Sequence, residues 1–410
     1  MATRSDPREL GAPLAQRLAA TRALTLALAQ PLSDADAAIQ PFPDASPAKW
    51  HLAHTTWFFE TFVLRDAGVA PYDDRFAYLF NSYYEGEGDR HARDRRGMLS
   101  RPSLDEVRAW RAHVDEGLDR ALPSLGPGAL ALVELGIHHE EQHQELFLTD
   151  ILATLAANPL EPAYGEATHY PGTAAPLEWI NNPGGLTMIG ADPATPFAFD
   201  CERPRHRALL HPHQLASCPV SNADWDAFIA DGGYTTPTLW LSEGWDWARR
   251  EAVTAPLYWR EDGTYFTLAG RVARASAAPV AHISFYEAEA FARWAGARLP
   301  REEEWEHAAA SDDPASGQQL DHAAAVIPAT KTGWFGAVWE WTGSAYLPYP
   351  GFVPEEGTVG EYNGKFMSGQ MVLRGASCAT PRGHSRASYR NFFPPSARWQ
   401  FSGVRLARDC

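Results

Sequence analysis

The sequence predicts an α+β protein in which a four-helix bundle precedes a domain of mostly irregular structure. Its 410 residues are enough for two domains that each bury a core. Helix-like segments occupy most of the N-terminal part, at roughly 8–30, 45–66, 103–121 and 128–157. After Pro159 the chain changes to short segments divided by proline and glycine, with brief helices near 221–231 and 284–310. We therefore expect two domains, over residues 1–165 and 175–410.

Two of the bundle helices carry sequence signals for their first turn. Ser46 followed by Pro47 is typical of an N-cap with a proline in the first turn. Ser103 with Glu106 three residues later matches a capping box, in which each side chain accepts a hydrogen bond from the other residue's backbone N–H. These signals predict where the second and third helices begin.

Composition argues against several classes of protein. The 35 basic and 51 acidic residues give a net charge of −16, so we expect no nucleic acid and no anionic membrane as partner. No stretch approaches 18 apolar residues, and the first residues lack the hydrophobic segment of a signal peptide, which predicts a cytoplasmic protein. The four cysteines form no CxxC pair and fit reduced thiols better than disulfides or a structural zinc site.

The most informative motif places His139 and His143 four residues apart in the fourth predicted helix. Four residues are slightly more than one helical turn, so both imidazoles leave the same face and can bind one metal ion. Leu132, Leu135 and Leu146 continue that face, which predicts that it points toward the core. Core histidines that bond to other groups show the same pattern, so a metal site requires a third ligand.

His54 in the second predicted helix is the candidate third ligand. It shares helical spacing with Trp50, Trp57 and Phe58 and therefore projects from an aromatic stripe, whereas His51 lies on a different face. Metals in helical bundles are held by side chains that project inward from several helices. We expect His54 to converge with the histidine pair, although a core histidine bonded to a backbone carbonyl would have the same spacing.

Motifs of the second domain resemble the formylglycine-generating-enzyme and sulfatase-modifying-factor family, whose irregular fold is related to C-type lectins. They are Gly-Gly-x-x-Met-Ile-Gly from Gly184, Arg-Leu-Pro-Arg-Glu-Glu-Glu-Trp-Glu from Arg298, Val-Trp-Glu-Trp-Thr from Val338, Leu-Arg-Gly-Ala-Ser-Cys from Leu373 and Phe-Ser-Gly-Val-Arg-Leu-Ala from Phe401. This fold does not name a reaction. Formylglycine-generating enzymes use two nearby cysteines in the C-terminal stretch, whereas Cys378 stands alone there, which argues against copper-thiolate oxidation of a protein cysteine.

Joined to an N-terminal bundle similar to the DinB superfamily, the chain resembles the sulfoxide synthases of ergothioneine biosynthesis over nearly its full length. The motifs are Asn81-Ser82-Tyr83-Tyr84-Glu85, Arg95-Arg96-Gly97-Met98-Leu99-Ser100-Arg101-Pro102, Tyr362-Asn363-Gly364-Lys365-Phe366 and Tyr389-Arg390-Asn391-Phe392-Phe393-Pro394-Pro395. The resemblance implies a non-heme Fe(II) enzyme that uses O2 to join sulfur to the imidazole C2 of hercynine, the trimethylated betaine of histidine. A related branch, the selenoneine synthases, attaches a selenosugar to the same carbon.

The resemblance places an iron site on His54, His139 and His143, with coordination positions left for the chalcogen donor and O2. It also implies that Tyr83 or Tyr84 lies near the iron-bound oxygen, where a phenol can donate a proton. Adjacent side chains of an extended segment point in opposite directions, so we expect one tyrosine to act and the other to pack. The sequence does not rank the two.

Substrate contacts are implied in both domains. Gln142 would hydrogen-bond one ring nitrogen of hercynine, and Asn391, Phe392 and Phe393 would surround its trimethylammonium group with aromatic faces and an amide oxygen. A surface glutamine and core phenylalanines are the competing interpretations. These assignments place the expected active site between the two domains.

A basic cluster in this acidic chain could clamp the carboxylate of a thiol donor. Its members are Arg90, Arg93, Arg95, Arg96 and Arg101, of which we take Arg90 and Arg93 as the donor-binding candidates. A solvated loop is the alternative for most of them. The remaining histidines, His51 and His138 among them, have no comparable pattern and are interpreted as structural or surface residues.

Two rival functions stay open at this point. One is a selenoneine synthase, since the donor could be cysteine, γ-glutamylcysteine or a selenosugar. The other is a non-catalytic protein in which the bundle histidines hold a structural metal and the lectin-like domain binds a ligand. Protein partners are not indicated by the sequence.

Overall fold

The computed structural model describes residues 7–167, 176–330, 333–357, 360 and 363–410. The chain divides into two compact units, Met1–Tyr164 and Gly165–Cys410. The first unit is helical and the second combines short strands with short helices, which confirms the predicted α+β class. The predicted boundary between the two domains, at 165–175, falls largely on residues 168–175, which lie outside the described residues. Tyr362 of the predicted motif that begins at that residue lies outside them as well.

The described part of the first unit consists mainly of helices. They are α1 (Pro7–Ala29), α2 (Asp34–Ala38), α3 (Ala48–Phe59), α4 (Arg75–Phe80), α5 (Leu104–Ala121) and α6 (Pro127–Ala156). The four long helices are the predicted bundle: α3 packs against α5 and α6, and α1 packs against α6. One π-helical turn, Glu60–Leu64, extends α3. The short helices α2 and α4 were not predicted, because five or six residues hardly show a helical period.

The two predicted helix starts have different outcomes. The capping box is confirmed, since Ser103 N–H donates to Glu106 at 2.7 Å and Glu106 N–H donates to Ser103 Oγ at 3.3 Å. The cap at Ser46 is wrong, because Pro47 is the N-cap of α3. Ser46 instead donates its backbone N–H to Asp150 at 2.7 Å, and its hydroxyl accepts a bond from Arg96 at 2.9 Å. Tertiary partners therefore replace the local cap.

A buried ionic cluster joins α1, α5 and α6. Glu140 accepts hydrogen bonds from Arg22 at 2.9 Å, from Thr25 at 2.5 Å and from Arg111. Arg22 also donates to Asp115 at 2.6 Å. A charge as deeply buried as Glu140 is tolerated only with partners of this kind, so the cluster fixes the rotation of α6 at the residue next to His139.

The described part of the second unit is built from short elements. Its helices are α7 (Asn222–Ala230), α8 (Ser242–Arg250), α9 (Phe285–Trp294) and α10 (Glu302–Ala309). Its strands are β1 (Trp179–Asn182), β2 (Gly185–Ile189), β3 (His206–Leu210), β4 (His213–Ala216), β5 (Thr264–Thr267), β6 (Gly270–Ala273), β7 (Trp339–Ala345), β8 (Met371–Gly375), β9 (Asn391–Phe393), β10 (Ser402–Val404) and β11 (Ala407–Asp409). They form sheets of order β1-β4-β11, β10-β7-β8-β9, β2-β3 and β5-β6, in which only the β10–β7 pair is parallel.

The helix predictions for this unit hold in part. The helix near 221–231 is α7, but the segment 284–310 is two helices, because Gly296 has a φ of +63° and Arg298 then pairs with Ala407. Helix α8 was not predicted. No helix in the described ranges combines the length and the apolar character that crossing a membrane requires.

Motif residues of the second unit form its core. Glu302 accepts bonds from Arg374 at 2.8 Å and from Arg390 at 2.9 Å, and Trp305 donates to Glu340 at 2.6 Å. All five side chains are buried. The conspicuous charged and aromatic motifs therefore hold short strands and helices together, as an irregular fold with few long elements requires.

Candidate metal centre

Three histidine side chains converge within the first unit. One possible ligand nitrogen from each of His54, His139 and His143 lies within 4.8 Å of the others. The ring centroids are 4.7 to 4.9 Å apart. His54 and His139 are fully buried and His143 is half-buried. The packing of α3 against α6 thus brings the predicted third residue to the predicted i, i+4 pair.

The His54 ring is held on three sides. Its Nδ1 lies 2.6 Å from the Phe80 carbonyl oxygen, so Nδ1 carries the proton and donates it. Trp50 and Trp57 stack on the ring, with centroid distances of 4.6 and 5.5 Å and interplanar angles of 13°. Nε2 is buried without a hydrogen-bond partner among the residues that the structure describes. The carbonyl bond expected of a core histidine is therefore present, and it leaves the Nε2 lone pair available to a metal.

The protonation of the three imidazoles suits a metal site. Burial lowers the pKa of His139 to about 3. Burial, with the neighbouring imidazoles, also lowers the pKa of His54 and of His143 well below the usual value. Neutral imidazole is the form that binds metals, and such nitrogen donors suit iron and other late first-row divalent ions. The donor set therefore fits a divalent transition-metal ion.

His51, which was interpreted as a structural or surface residue, is buried and hydrogen-bonds to this cluster. Its Nδ1 lies 2.9 Å from Nδ1 of His143, and its Nε2 lies 3.1 Å from Oδ2 of Asp150. His51 was assigned to a different face from His54, but residues three apart are neighbours on a helix and α6 packs against both. This i, i+3 spacing is the signal that would have identified it.

The predicted apolar stripe on α6 is displaced from the observed one. Leu132, Leu135 and Leu146 are only half-buried. The most deeply buried face carries instead Val133, Ile137, Glu140, Gln144, Leu148 and Ile151. When the stripe is predicted from the spacing of apolar residues, Glu140 and Gln144 are left out because they are polar. Their buried hydrogen bonds nevertheless make them core residues. The histidines therefore lie beside the core stripe rather than in its middle.

The tyrosine pair follows α4 in a bend rather than an extended segment. Asn81 Oδ1 accepts a bond from Tyr84 N–H at 3.2 Å, and Asn81 Nδ2 donates to the Tyr84 carbonyl at 2.9 Å. The expectation that the two side chains point in opposite directions is wrong, because the rings stack at 4.7 Å and 29°. Tyr84 is 1% exposed, and its ring centroid is 5.5 Å from that of Trp57, which itself stacks on His54.

The arginine cluster is not uniform. Arg90 forms an ion pair with Glu85, and Arg93 donates to the Asp44 carbonyl at 2.6 Å. Arg96 is 3% exposed and lies 3.4 Å above the Trp50 ring, with hydrogen bonds to two serine hydroxyls. Its Nε has no hydrogen-bond partner among the described residues. Arg96, which was not one of the two donor-binding candidates, thus contacts Trp50, an indole that stacks on His54.

The residues predicted to bind hercynine lie in both units. Gln142 is half-buried on α6, directly before His143. The three predicted residues of the second unit form β9 and are half-buried. Phe392 stacks on Tyr346 at 4.1 Å and 11°, and Phe393 lies 6.0 Å from Trp399. Both phenylalanines therefore take part in packing within the second unit, while part of each side chain stays accessible.

Comparisons with known proteins match both units. The DinB superfamily matches residues 17–147, and the sulfatase-modifying factor enzyme 1-like domain matches residues 172–327 and 332–410. The hercynine oxygenases of Mycolicibacterium smegmatis and Mycobacterium tuberculosis are each 35% identical to this chain, over 97% of it and 98% of their own length. Ergothioneine biosynthesis protein 1 of Schizosaccharomyces pombe is 24% identical over 75% of this chain and 44% of that protein. The chain therefore belongs to the family of the hercynine oxygenases, the ergothioneine-biosynthesis sulfoxide synthases that its motifs resemble.

Proposed function

We propose that this protein is a non-heme Fe(II)- and O2-dependent oxidoreductase that joins a sulfur donor to the imidazole C2 of hercynine. The observation that carries the proposal is the convergence of His54, His139 and His143 within 4.8 Å, in a chain whose near-full-length relatives are named hercynine oxygenase. Those names also favour an enzyme over a non-catalytic protein with a structural metal. The overall reaction balances as hercynine C2–H plus R–SH plus O2 giving the C2–S(O)–R sulfoxide plus H2O.

The three imidazoles would hold the metal ion as neutral nitrogen donors. Bound Fe(II) would supply the redox chemistry that activates O2 and would leave coordination positions for the sulfur donor. The chain supplies a site in which His54 is already oriented by the Phe80 carbonyl and by two indole rings. A pre-oriented ligand set lowers the cost of ordering the site when the metal binds.

The stacked pair Tyr83 and Tyr84 would donate a phenolic proton during oxygen chemistry. The pair is linked to the histidine cluster through Trp57, which contacts both the Tyr84 and the His54 rings. A phenolic proton delivered at this place favours coupling at hercynine over simple oxidation of the thiol. Stacking of the rings means that each tyrosine restricts the orientation of the other.

Hercynine would be recognised by two kinds of contact. The amide of Gln142, adjacent to His143, would hydrogen-bond a ring nitrogen and orient C2. The permanently charged trimethylammonium group cannot donate hydrogen bonds and would lie against Phe392 and Phe393 and the amide oxygen of Asn391. Arg90 and Arg93 would bind the carboxylate of the sulfur donor, which requires that their bonds to Glu85 and to the Asp44 carbonyl be exchanged.

Mass spectrometry of the products tests this proposal. Hercynine is offered cysteine, γ-glutamylcysteine or a selenosugar in turn to the Fe(II)-loaded protein under air, with an anaerobic reaction as control. We expect one of the thiols to give a product with the mass of hercynine plus donor plus one oxygen atom minus two hydrogens. A selenosugar adduct alone would assign the protein to the selenoneine branch. Unchanged hercynine with every donor would overturn the proposal.

A further inference from the structure

A chain of hydrogen-bonding groups runs through the first unit from Asp150 to the candidate metal centre. Asp150 Oδ2 accepts the Ser46 backbone N–H at 2.7 Å and lies 3.1 Å from His51 Nε2. On the other side of the same ring, His51 Nδ1 lies 2.9 Å from His143 Nδ1. His51 is 2% exposed, so water does not compete for these contacts. The chain therefore connects a backbone-anchored carboxylate to a candidate ligand.

The order of donors and acceptors in this chain follows from its first member. In the arrangement in which both imidazoles are neutral, Asp150 as the acceptor holds the proton of His51 on Nε2. His51 Nδ1 is then a bare acceptor. At 2.9 Å, the facing nitrogen must donate, which puts the proton of neutral His143 on Nδ1 and leaves its lone pair on Nε2.

His54 independently carries its proton on the same ring nitrogen, Nδ1. There the Phe80 carbonyl oxygen fixes the proton on Nδ1 and leaves Nε2 as the donor nitrogen. The proton position of His54 thus depends on a backbone carbonyl, and that of His143 depends on the side chains of His51 and Asp150. A backbone carbonyl cannot be lost by a single substitution, whereas the side-chain chain can.

We propose that His51 is a positioning residue that, backed by Asp150, fixes the ring orientation and tautomer of His143 for metal binding. This inference rests on the proposed metal centre and adds a residue outside its three ligands. The groups that orient a ligand in this way typically change metal affinity about 10- to 100-fold when they are removed.

Two substitutions of His51 separate positioning from packing. His51→Phe keeps an aromatic ring but cannot accept a hydrogen bond from His143. His51→Asn is smaller, yet its amide oxygen can accept that bond near the position of Nδ1. Tyr164→Phe is the matched control, because it removes a buried hydrogen bond of the same unit, to the Leu28 carbonyl at 2.5 Å. We expect only the phenylalanine at position 51 to weaken metal binding strongly.

The experiment titrates the metal-free full-length proteins with Co(II), followed by calorimetry and by the visible and electron paramagnetic resonance spectra of the bound ion. We expect His51→Phe to raise the Co(II) dissociation constant about 10- to 100-fold and to change the spectra. His51→Asn should retain most of the affinity, and Tyr164→Phe all of it. Thermal unfolding of the metal-free proteins reports any general loss of stability.

Several outcomes would overturn the inference. Unchanged Co(II) affinity and spectra in His51→Phe would show that the residue only packs, even if the unfolding temperature falls. If His51→Asn lost as much Co(II) affinity as His51→Phe, the hydrogen bond that residue 51 accepts from His143 would not be what supports metal binding. Absence of Co(II) binding by the unmodified protein would instead overturn the proposed centre itself. If His51→Phe does not fold, the double variant with Asp150→Asn is used, because it removes the buried charge that the first change deprives of its imidazole partner, while an asparagine oxygen can still accept the Ser46 backbone N–H.

Discussion

The ring of His54 donates a hydrogen bond from Nδ1 to the carbonyl oxygen of Phe80 at 2.6 Å. Phe80 is the last residue of α4, and the carbonyls of a final helical turn have no partner within the helix. The bond therefore satisfies a buried helix end and leaves Nε2 of His54 as the ring nitrogen without a hydrogen-bond partner among the described residues. Since Asn81 to Tyr84 follow at once, the same bond anchors the tyrosine segment beside the candidate metal centre.

Substitution of each candidate ligand by alanine should abolish metal binding. His54→Ala, His139→Ala and His143→Ala each remove one of three nitrogen donors, so we expect loss of bound iron and of turnover with a largely retained circular dichroism spectrum. Iron content is measured by elemental analysis after reconstitution. His211→Ala is the control, because His211 is exposed in the second unit. Full iron occupancy in His54→Ala would show that another residue is the third ligand.

Removal of a phenolic hydroxyl should shift the reaction from sulfoxide formation toward oxidation of the thiol donor. Tyr83→Phe or Tyr84→Phe keeps the stacked ring but removes the proton donor, so the variant of the acting tyrosine should couple more slowly or oxidise the thiol donor instead. The ratio of sulfoxide product to oxidised donor is measured by mass spectrometry. Tyr78→Phe, at an exposed position of α4, is the control. Wild-type rates and ratios in both variants would exclude a catalytic role for either tyrosine.

Hercynine affinity should depend on residues that do not bind metal. Gln142→Leu and Asn391→Ala each remove a directed contact worth about 1 to 3 kcal/mol when its loss leaves a buried partner unsatisfied. We expect hercynine binding to weaken about tenfold or more in each variant, with unchanged iron content. Calorimetric titration with hercynine measures the effect. Undiminished affinity in both variants would place the substrate elsewhere.

The buried carboxylate of Glu140 should make the stability of the first unit decrease at low pH. Burial raises the pKa of Glu140, but Arg111 and Arg22 more than offset this effect and lower the pKa to about 2. The pKa of glutamate in an unfolded chain is about 4.3. The contribution of this carboxylate to folding is therefore complete above about pH 4.3 and is lost as the pH falls toward 2.

Glu140→Gln tests this relationship in the metal-free protein. Loss of the carboxylate leaves two buried guanidinium groups without their shared anion, so we expect a decrease of about 3 to 5 kcal/mol in the free energy of unfolding at neutral pH. The decrease should shrink at pH 3, as urea unfolding at both values would show. Glu116→Gln is the matched control, because Glu116 pairs with Arg120 on the exposed face of α5. Equal losses at both pH values would contradict the assignment.

The sequence predicted those parts of the structure that depend on local spacing. The four bundle helices and the capping box at Ser103 follow from helical periodicity and from first-turn chemistry. The approach of His139 to His143 follows from the i, i+4 spacing. His54 could be chosen because it lies among aromatic residues of one stripe. Each of these features is decided within one helix.

Features that depend on partners distant in sequence could not be read in the same way. Ser46 is not a cap because Asp150 and Arg96, both far along the chain, bind it. His51 belongs to the cluster because α6 supplies His143 on one side of its ring and Asp150 on the other. Hydrogen bonds between buried polar groups determine both features, and hydrophobic spacing does not encode them.

Oxygen consumption tests the central claim most directly, namely that the three-histidine centre couples O2 to hercynine. Uptake of O2 is recorded for the Fe(II)-loaded protein with a thiol donor, with and without hercynine, and for His139→Ala treated identically. The account predicts that hercynine stimulates O2 uptake by the unmodified protein, with one O2 consumed for each sulfoxide formed, and that His139→Ala shows no stimulation. Uptake that is the same with and without hercynine in the iron-loaded, unmodified protein would contradict it.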